Sequence, residues 1–225
     1  MQQLLLDIKI APSPSLANFE PGRNVEVLQL LQNILQGREK ERFIYLWGDR
    51  GCGKSHLLRA TTAAYTQKSL KAVYFSARQQ HEFSAIGTMD CIAIDDLDQL
   101  DAAAQVALFN LYNQLRDHGE TLLLMSGMAA PMHMTMRQDL VTRLGWGLVY
   151  HVLELTEEEK IQAMKRYAHD RGFKLSEEIC IYLLQHGKRD LPSLMMTLDA
   201  LDRYSLIHQR QITIPLVREL LQVVS

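Results

Sequence analysis

The chain has 225 residues, with 24 Lys+Arg against 26 Asp+Glu for a formal net charge of −2, and 47% of it is hydrophobic. That balance excludes collagen-like, disordered and polyelectrolyte chains, and the length allows one large domain or a core with a smaller satellite. Cys52, Cys91 and Cys180 form no CxxC pair and have no His at ligand spacing, and no apolar run approaches the ~20 residues of a membrane span. Neither a disulfide framework nor a zinc site is expected. The N-terminus has no positive region ahead of its short apolar stretch, so the expectation is a cytoplasmic protein without membrane contact.

Residues 1–22 join an apolar cluster (Leu4, Leu5, Leu6, Ile8) to Pro12, Pro14 and Pro21, and read as a tail and linker. From Asn24, a helix-capping residue type, Val27, Leu28, Leu31, Ile34 and Leu35 fall at helical spacing, and Gly37 ends the segment. Five apolar runs then read as buried strands: Phe43 to Trp47, Ala72 to Phe75, Cys91 to Ile94, Thr121 to Met125 and His151 to Leu155. Their alternation with helical segments predicts an α/β fold: a parallel five-stranded sheet with helices on both faces.

The pattern changes at Thr156, where Thr-Glu-Glu-Glu places an N-cap and a Glu three residues on as a capping box. Helices are expected at about 157–171, 177–186, 191–208 and 215–223, with no further strand. The expected organisation is therefore a tail over 1–22, an α/β core over 23–155 and a small all-helical domain over 156–225. From Thr156 onward Lys/Arg and Asp/Glu are equal in number, so the helical part shows no basic face in its totals.

The strongest motif is Gly48-Asp49-Arg50-Gly51-Cys52-Gly53-Lys54-Ser55, which fits G-x-x-x-x-G-K-[ST] between a predicted strand and a helix opening at His56. Gly48, Gly51 and Gly53 let the backbone wrap so that its N–H groups, with those of Cys52 and His56, face phosphate oxygens at a helix N-terminus. Lys54 would reach the β/γ-phosphates and Ser55 would offer a hydroxyl to Mg²⁺, with ADP or ATP as the ligand. The bland alternative is a glycine-rich turn with an exposed lysine. Cys52 is either a packing residue under the loop or a thiol with a lowered pKa at the helix N-terminus.

Such a loop needs a partner carboxylate. The run Cys91-Ile92-Ala93-Ile94 delivers Asp95 and Asp96 to the carboxyl edge of the sheet, with Asp95 expected on the metal side. Asp96 either orients an attacking water or belongs with Asp98 to the solvated acids of the next turn.

With Asp95-Asp96 and the later run Arg143-Leu144-Gly145-Trp146-Gly147-Leu148, the chain resembles the AAA+ nucleotide-binding proteins and, within them, the DnaA family of bacterial replication initiators. Its length, the Asn18-Phe19 lead-in and the closing Thr213-Ile214-Pro215 resemble the regulatory-inactivator branch of that family. The resemblance covers about residues 16 to 223. It implies an AAA+ core with a helical lid, and Arg143 as an arginine finger acting in trans. Its functional implication is that the chain promotes hydrolysis of DnaA-bound ATP together with the DNA-loaded polymerase sliding clamp, which prevents re-initiation. It leaves a homo-oligomer open. No helix-turn-helix segment follows before Ser225, and the charge is balanced, so direct sequence-specific DNA binding is not expected.

Gln3-Leu4-Leu5-Leu6-Asp7-Ile8 resembles the clamp-binding hexapeptide, with Gln3, Leu4, Leu6 and Ile8 in the expected places. Apolar anchors on a Pro-rich spacer can fill a preformed groove while the glutamine amide bonds at its rim; the alternative is a strand packing on its own domain. Two departures from the family stand out. Pro192 occupies the place of the lid arginine that senses γ-phosphate, leaving Arg189 as the nearby cation. Ser126-Gly127-Met128 lacks an acid after the fourth strand, leaving Ser126 as the polar sensor. Both features weaken the alternative of a self-sufficient helicase- or clamp-loader-type ATPase.

Overall fold

The computed structural model describes residues 13–78 and 87–224, so the hexapeptide at Gln3–Ile8 lies outside the described residues. Two compact units emerge, one spanning Ser13–Glu154 and the other beginning at Leu155.

In the first unit the elements are α1 (Val25–Leu35), β1 (Phe43–Trp47), α2 (Lys54–Gln67), β2 (Ala72–Ser76), β3 (Cys91–Asp95), α3 (Ala102–His118), β4 (Leu122–Gly127), α4 (Gln138–Leu144) and β5 (Leu148–His151). All the pairings are parallel, in the order β2-β3-β4-β1-β5. Because side chains alternate along a strand, each strand supplies both faces. Phe43, Tyr45, Ile92, Ile94, Leu123 and Met125 pack under α3 and α4, against Leu108, Tyr112, Leu140 and Leu144. Ile44, Leu46, Cys91, Ala93, Leu122 and Leu124 pack under α1 and α2, against Leu31, Leu57 and Leu58. The α/β fold with helices on both faces is thus as the alternation predicts.

Two local expectations are corrected. The fifth strand is Leu148–His151, not His151 to Leu155. β5 is an edge strand: Leu148 and Tyr150 face the core while Val149 and His151 are exposed, so it lacks the continuous apolar run of a central strand. Val152 N still donates to Trp47 O at 2.7 Å, but pairing stops there because Asn24 takes over. Asn24 is the second correction. It occupies the N-cap position of α1 but makes no side-chain cap bond. Its Oδ1 accepts from Leu153 N at 2.7 Å and its Nδ2 donates to Leu153 O at 2.8 Å, so one amide imitates a neighbouring strand. Arg23 adds a bond to Glu154 O at 2.7 Å. The segment Ser13–Gly22, read from its prolines as linker, contributes Leu16 and Phe19 to the packing beside α1 and α2.

The second unit contains α5 (Glu157–Asp170), α6 (Glu177–His186), α7 (Leu191–His208) and α8 (Ile214–Val224) around Met164, Ile179, Cys180, Leu183, Leu198, Leu201 and Val217. The helix starts follow their caps. Thr156 and Glu159 form both bonds of the capping box, Ser176 accepts from Ile179 N, and Asp190 accepts from Ser193 N. Pro192 sits in the first turn of α7, where a missing N–H costs nothing. Arg189 Nε donates to Leu184 O at 3.0 Å, which satisfies a carbonyl at the end of α6. Among the described residues no helix is long and apolar enough to cross a membrane.

Asn24 is nearly fully buried, so Asn24→Ala leaves both backbone groups of Leu153 unpartnered. A loss of about 1–3 kcal/mol is expected, read as a lower thermal midpoint; Asn24→Asp, which keeps the acceptor but sets a second carboxylate oxygen against the Leu153 carbonyl in a buried site, should lose at least as much.

Candidate functional site

The loop after β1 carries the phosphate motif at the carboxyl edge of the sheet. Gly48 has φ +150° and a Cβ there would run into the Val152 carbonyl, so only glycine lets the loop leave β1 so close to β5. Gly53 has φ +106°, and a Cβ on it would stand 2.8 Å from Phe19 Cε2. Gly51 also lies in the left-handed region, at φ +87°. These turns bring the chain directly into α2, whose first residues are Lys54, Ser55 and His56.

Lys54 is buried, and its Nζ donates to Gly48 O at 2.7 Å and Asp49 O at 2.9 Å. No carboxylate pairs with it among the described residues, so its charge is directed at the loop itself. Cys52 is buried as well, and burial pushes its thiol pKa up, which fits packing beneath the loop and not an activated thiolate. Ser55 is exposed in the first turn. His56 Nε2 lies 2.9 Å from Ser15 O, and its ring is 5.6 Å from that of Phe19. The N-terminal segment therefore borders the glycine loop.

Asp95, at the end of β3, is 1% exposed. Its Oδ1 accepts from Ser126 Oγ and, at 3.1 Å, from Asp96 N; its Oδ2 accepts from Tyr74 Oη at 2.6 Å. Ser126 gains this position because β3 and β4 are register neighbours, Ile94 opposite Met125. All these donors are neutral, and among the described residues no side-chain cation pairs with this fixed, buried carboxylate. Asp96 has φ +59°, and its carboxylate accepts from Arg78 Nε at 2.7 Å. It is thus tied to the end of β2 and not held out as an unpaired acid.

This constellation fits a metal–nucleotide phosphate group: a loop with three glycines at positive φ, a helix N-terminus, a lysine, a hydroxyl and a buried acid. Among the described residues there is no cluster of three or more His, Cys, Asp or Glu ligands. Mg²⁺ suits such a site because it keeps several waters and takes only one or two protein groups plus phosphate.

Arg143 lies elsewhere, in the last turn of α4. Its Nε donates to Asn113 Oδ1 at 2.7 Å, and its guanidinium carbon is 4.3 Å from the Phe109 ring centroid and 4.8 Å from that of Trp146. Phe109 and Asn113 are four apart on α3, so they form one face. The terminal nitrogens of Arg143 have no hydrogen bond among the described residues. Trp146-Gly147 leads into β5 at the end where Leu148 pairs with Ile44, and Gly147 lies directly against the Phe43 backbone. Phe43 opens β1, whereas the phosphate loop follows Trp47. The two features therefore sit at opposite ends of β1, about 13 Å apart along the strand at ~3.3 Å per residue.

The structure brings Gly48, Gly51, Cys52, Gly53, Lys54, Ser55 and His56 to one edge with Asp95, Asp96 and Ser126, and holds Arg143 apart. Gln3, Leu4, Leu6 and Ile8 lie outside the described residues. Tyr74, Arg78, Phe109 and Asn113 belong to these arrangements without any sequence motif to mark them. Only the pairing of β2 with β3, and of α3 with α4, discloses them.

Residues 19–151 match the family model for the bacterial DnaA ATPase domain, and residues 157–221 match that for the Hda lid domain. Among solved structures, domain III of DnaA from Thermotoga maritima has a TM-score of 0.74 at 19% identity, over 95% of this chain and 98% of that one. AMPPCP-bound DnaA from Aquifex aeolicus has a TM-score of 0.72 at 20% identity; 85% of this chain is covered but only 65% of that one. A single-residue variant of RuvB from Thermotoga maritima has a TM-score of 0.68 at 17% identity, over 96% and 73% of the respective chains. Identities at this level establish a shared fold, and the family models carry the assignment. The chain belongs to the DnaA-related AAA+ family, with a DnaA-type ATPase domain followed by a lid of the Hda type.

Proposed function

We propose that the chain regulates chromosomal replication initiation by completing the ATPase site of DnaA: with the DNA-loaded sliding clamp it stimulates hydrolysis of DnaA-bound ATP and prevents re-initiation. The observation that carries this reading is Arg143, whose guanidinium is oriented through Nε while its outer nitrogens have no hydrogen bond among the described residues, at the end of β1 opposite its own phosphate loop. A planar, permanently charged fork suits charge building on a transferring phosphoryl group. Placed at the other end of β1 from the loop, it would act across an interface.

In the chain's own site, the loop amides and Lys54 would hold the phosphates of ADP or ATP, while Ser55 and Asp95 would hold Mg²⁺ through a hydroxyl and a carboxylate. The metal would neutralise phosphate charge. Ser126 fixes Asp95, and Arg78 holds the Asp96 carboxylate, lowering its fitness as a water-orienting acid. Pro192 brings no cation to the start of α7. These features favour a nucleotide-holding partner over the self-sufficient helicase- or clamp-loader-type ATPase. The hexapeptide Gln3–Ile8 would tether the protein to the clamp, placing it in the cytoplasm at the nucleoid.

Three measurements check this reading. Nucleotide at 100 times its dissociation constant should raise unfolding free energy by about 2.7 kcal/mol, and Lys54→Ala should remove most of that gain. An unchanged melting temperature with both ADP and ATP rejects the phosphate site. Gln3→Ala with Leu6→Ala should abolish binding to immobilised clamp while nucleotide binding persists; unaltered clamp affinity rejects the hexapeptide. Arg143→Ala should keep bound nucleotide and clamp association but lose the stimulation of radiolabelled ATP hydrolysis on DnaA, by about 10³-fold or more. Stimulation within about threefold of the unmodified protein would show that Arg143 is an ordinary surface cation.

A further inference from the structure

Tyr74 belongs to edge strand β2, opposite Ala93, while Ser76 stands opposite Asp95. Tyr74, Ser76, Ala93 and Asp95 therefore share the sheet face beneath α2. The small Ala93 side chain leaves room for the Tyr74 ring to run along that face, and its hydroxyl reaches past Ser76 to Asp95 Oδ2 at 2.6 Å. Arg59, four residues after Ser55 on α2, places its guanidinium 4.4 Å from the Tyr74 ring centroid and not on the carboxylate.

We propose that Tyr74 is a positioning residue for the divalent cation that accompanies the nucleotide: its hydroxyl fixes the plane of the Asp95 carboxylate while Asp95 keeps its charge for the metal. The proposal rests on the nucleotide-binding reading above. Three neutral donors meet Asp95, and two of them, Ser126 Oγ and Asp96 N, share Oδ1. Among the described residues Tyr74 is the group that holds Oδ2, so without it the carboxylate can turn about its own axis. If the ring served packing alone, phenylalanine would fill the same space. Groups that orient a metal-bound carboxylate through one hydrogen bond typically contribute about 10- to 100-fold in metal affinity.

The test is ATP binding by calorimetry with full-length protein, in EDTA and in Mg²⁺, for the unmodified chain, Tyr74→Phe and Asp95→Asn. Tyr74→Phe should bind ATP in EDTA within about twofold of the unmodified protein yet lose about tenfold or more of the gain that Mg²⁺ brings. Titration with Mn²⁺, followed by its paramagnetic resonance signal in the presence of ATP, should show the same loss. If Asp95→Asn loses the Mg²⁺ gain while Tyr74→Phe keeps it within about twofold, the role of Tyr74 is overturned and the nucleotide site stands. An equal loss in EDTA and in Mg²⁺ for Tyr74→Phe makes the residue purely structural and also overturns the proposal. Absence of ATP binding by the unmodified chain under both conditions overturns the nucleotide site, and the role of Tyr74 with it.

Discussion

A parallel strand has two unlike ends, and β1 is central enough to use both. It is paired on one side with β4 and on the other with β5, so its position is set by hydrogen bonds along both edges. Two close backbone approaches then fix the ends. Gly147 lies on the Phe43 backbone at the start, and Gly48 lies on the Val152 carbonyl at the finish. No side chain larger than hydrogen fits either contact, so the segment bearing Arg143 and the phosphate loop are held to a common frame without room for adjustment. Their separation is therefore a property of the sheet and not of a flexible loop, and a cation placed at the amino end is kept away from the chain's own phosphate loop.

Electrostatics at the carboxyl edge follow a second constraint, that a buried charge must be solvated by the protein without being cancelled. Asp95 is met by two hydroxyls and an amide, Lys54 by two carbonyls. Dipoles lower the cost of burying each charge but leave its sign available to a ligand. Asp96 is treated differently: it is paired with a full cation, Arg78, on a partly exposed surface where the pair contributes little to stability. Adjacent acids of one dipeptide thus receive opposite treatment: among the described residues the first is held by neutral donors and the second by a cation.

The legible parts of the sequence are those in which local pattern and tertiary role coincide. β3 and β4 are buried along their whole length, so their apolar runs are unambiguous; the helices of the second unit start at Thr156, Ser176 and Asp190, whose side chains make the expected cap bonds. The phosphate loop is a contiguous motif. Where one side chain serves a distant backbone, the pattern misleads. Asn24 has the identity and position of a cap but uses both amide atoms on Leu153, 129 residues away, and this same bond cuts the fifth strand short of the apolar run that suggested it. Tyr74, Arg78 and Asn113 are illegible for a related reason. Each acts on a residue 18 to 30 positions distant, and nothing in their own neighbourhoods distinguishes them from other strand-end or helix-surface residues.

The treatment of arginines separates the roles further. Arg143 is oriented by one hydrogen bond and two aromatic rings, so much of the rotamer entropy of a long side chain is already lost before a partner arrives. In the proposed role, its binding energy can then go into the interaction with phosphate instead of ordering. At the start of α7, by contrast, Asp190 caps the helix, Pro192 fills the first turn, and Arg189 donates through Nε to a carbonyl of α6. Each of these bonds stabilises the helical unit and none presents a guanidinium from α7 itself. An arginine preorganised at the end of β1 opposite the chain's own loop, together with a first turn of α7 that carries no cation, supports the proposed role in which Arg143 supplies charge to a second nucleotide.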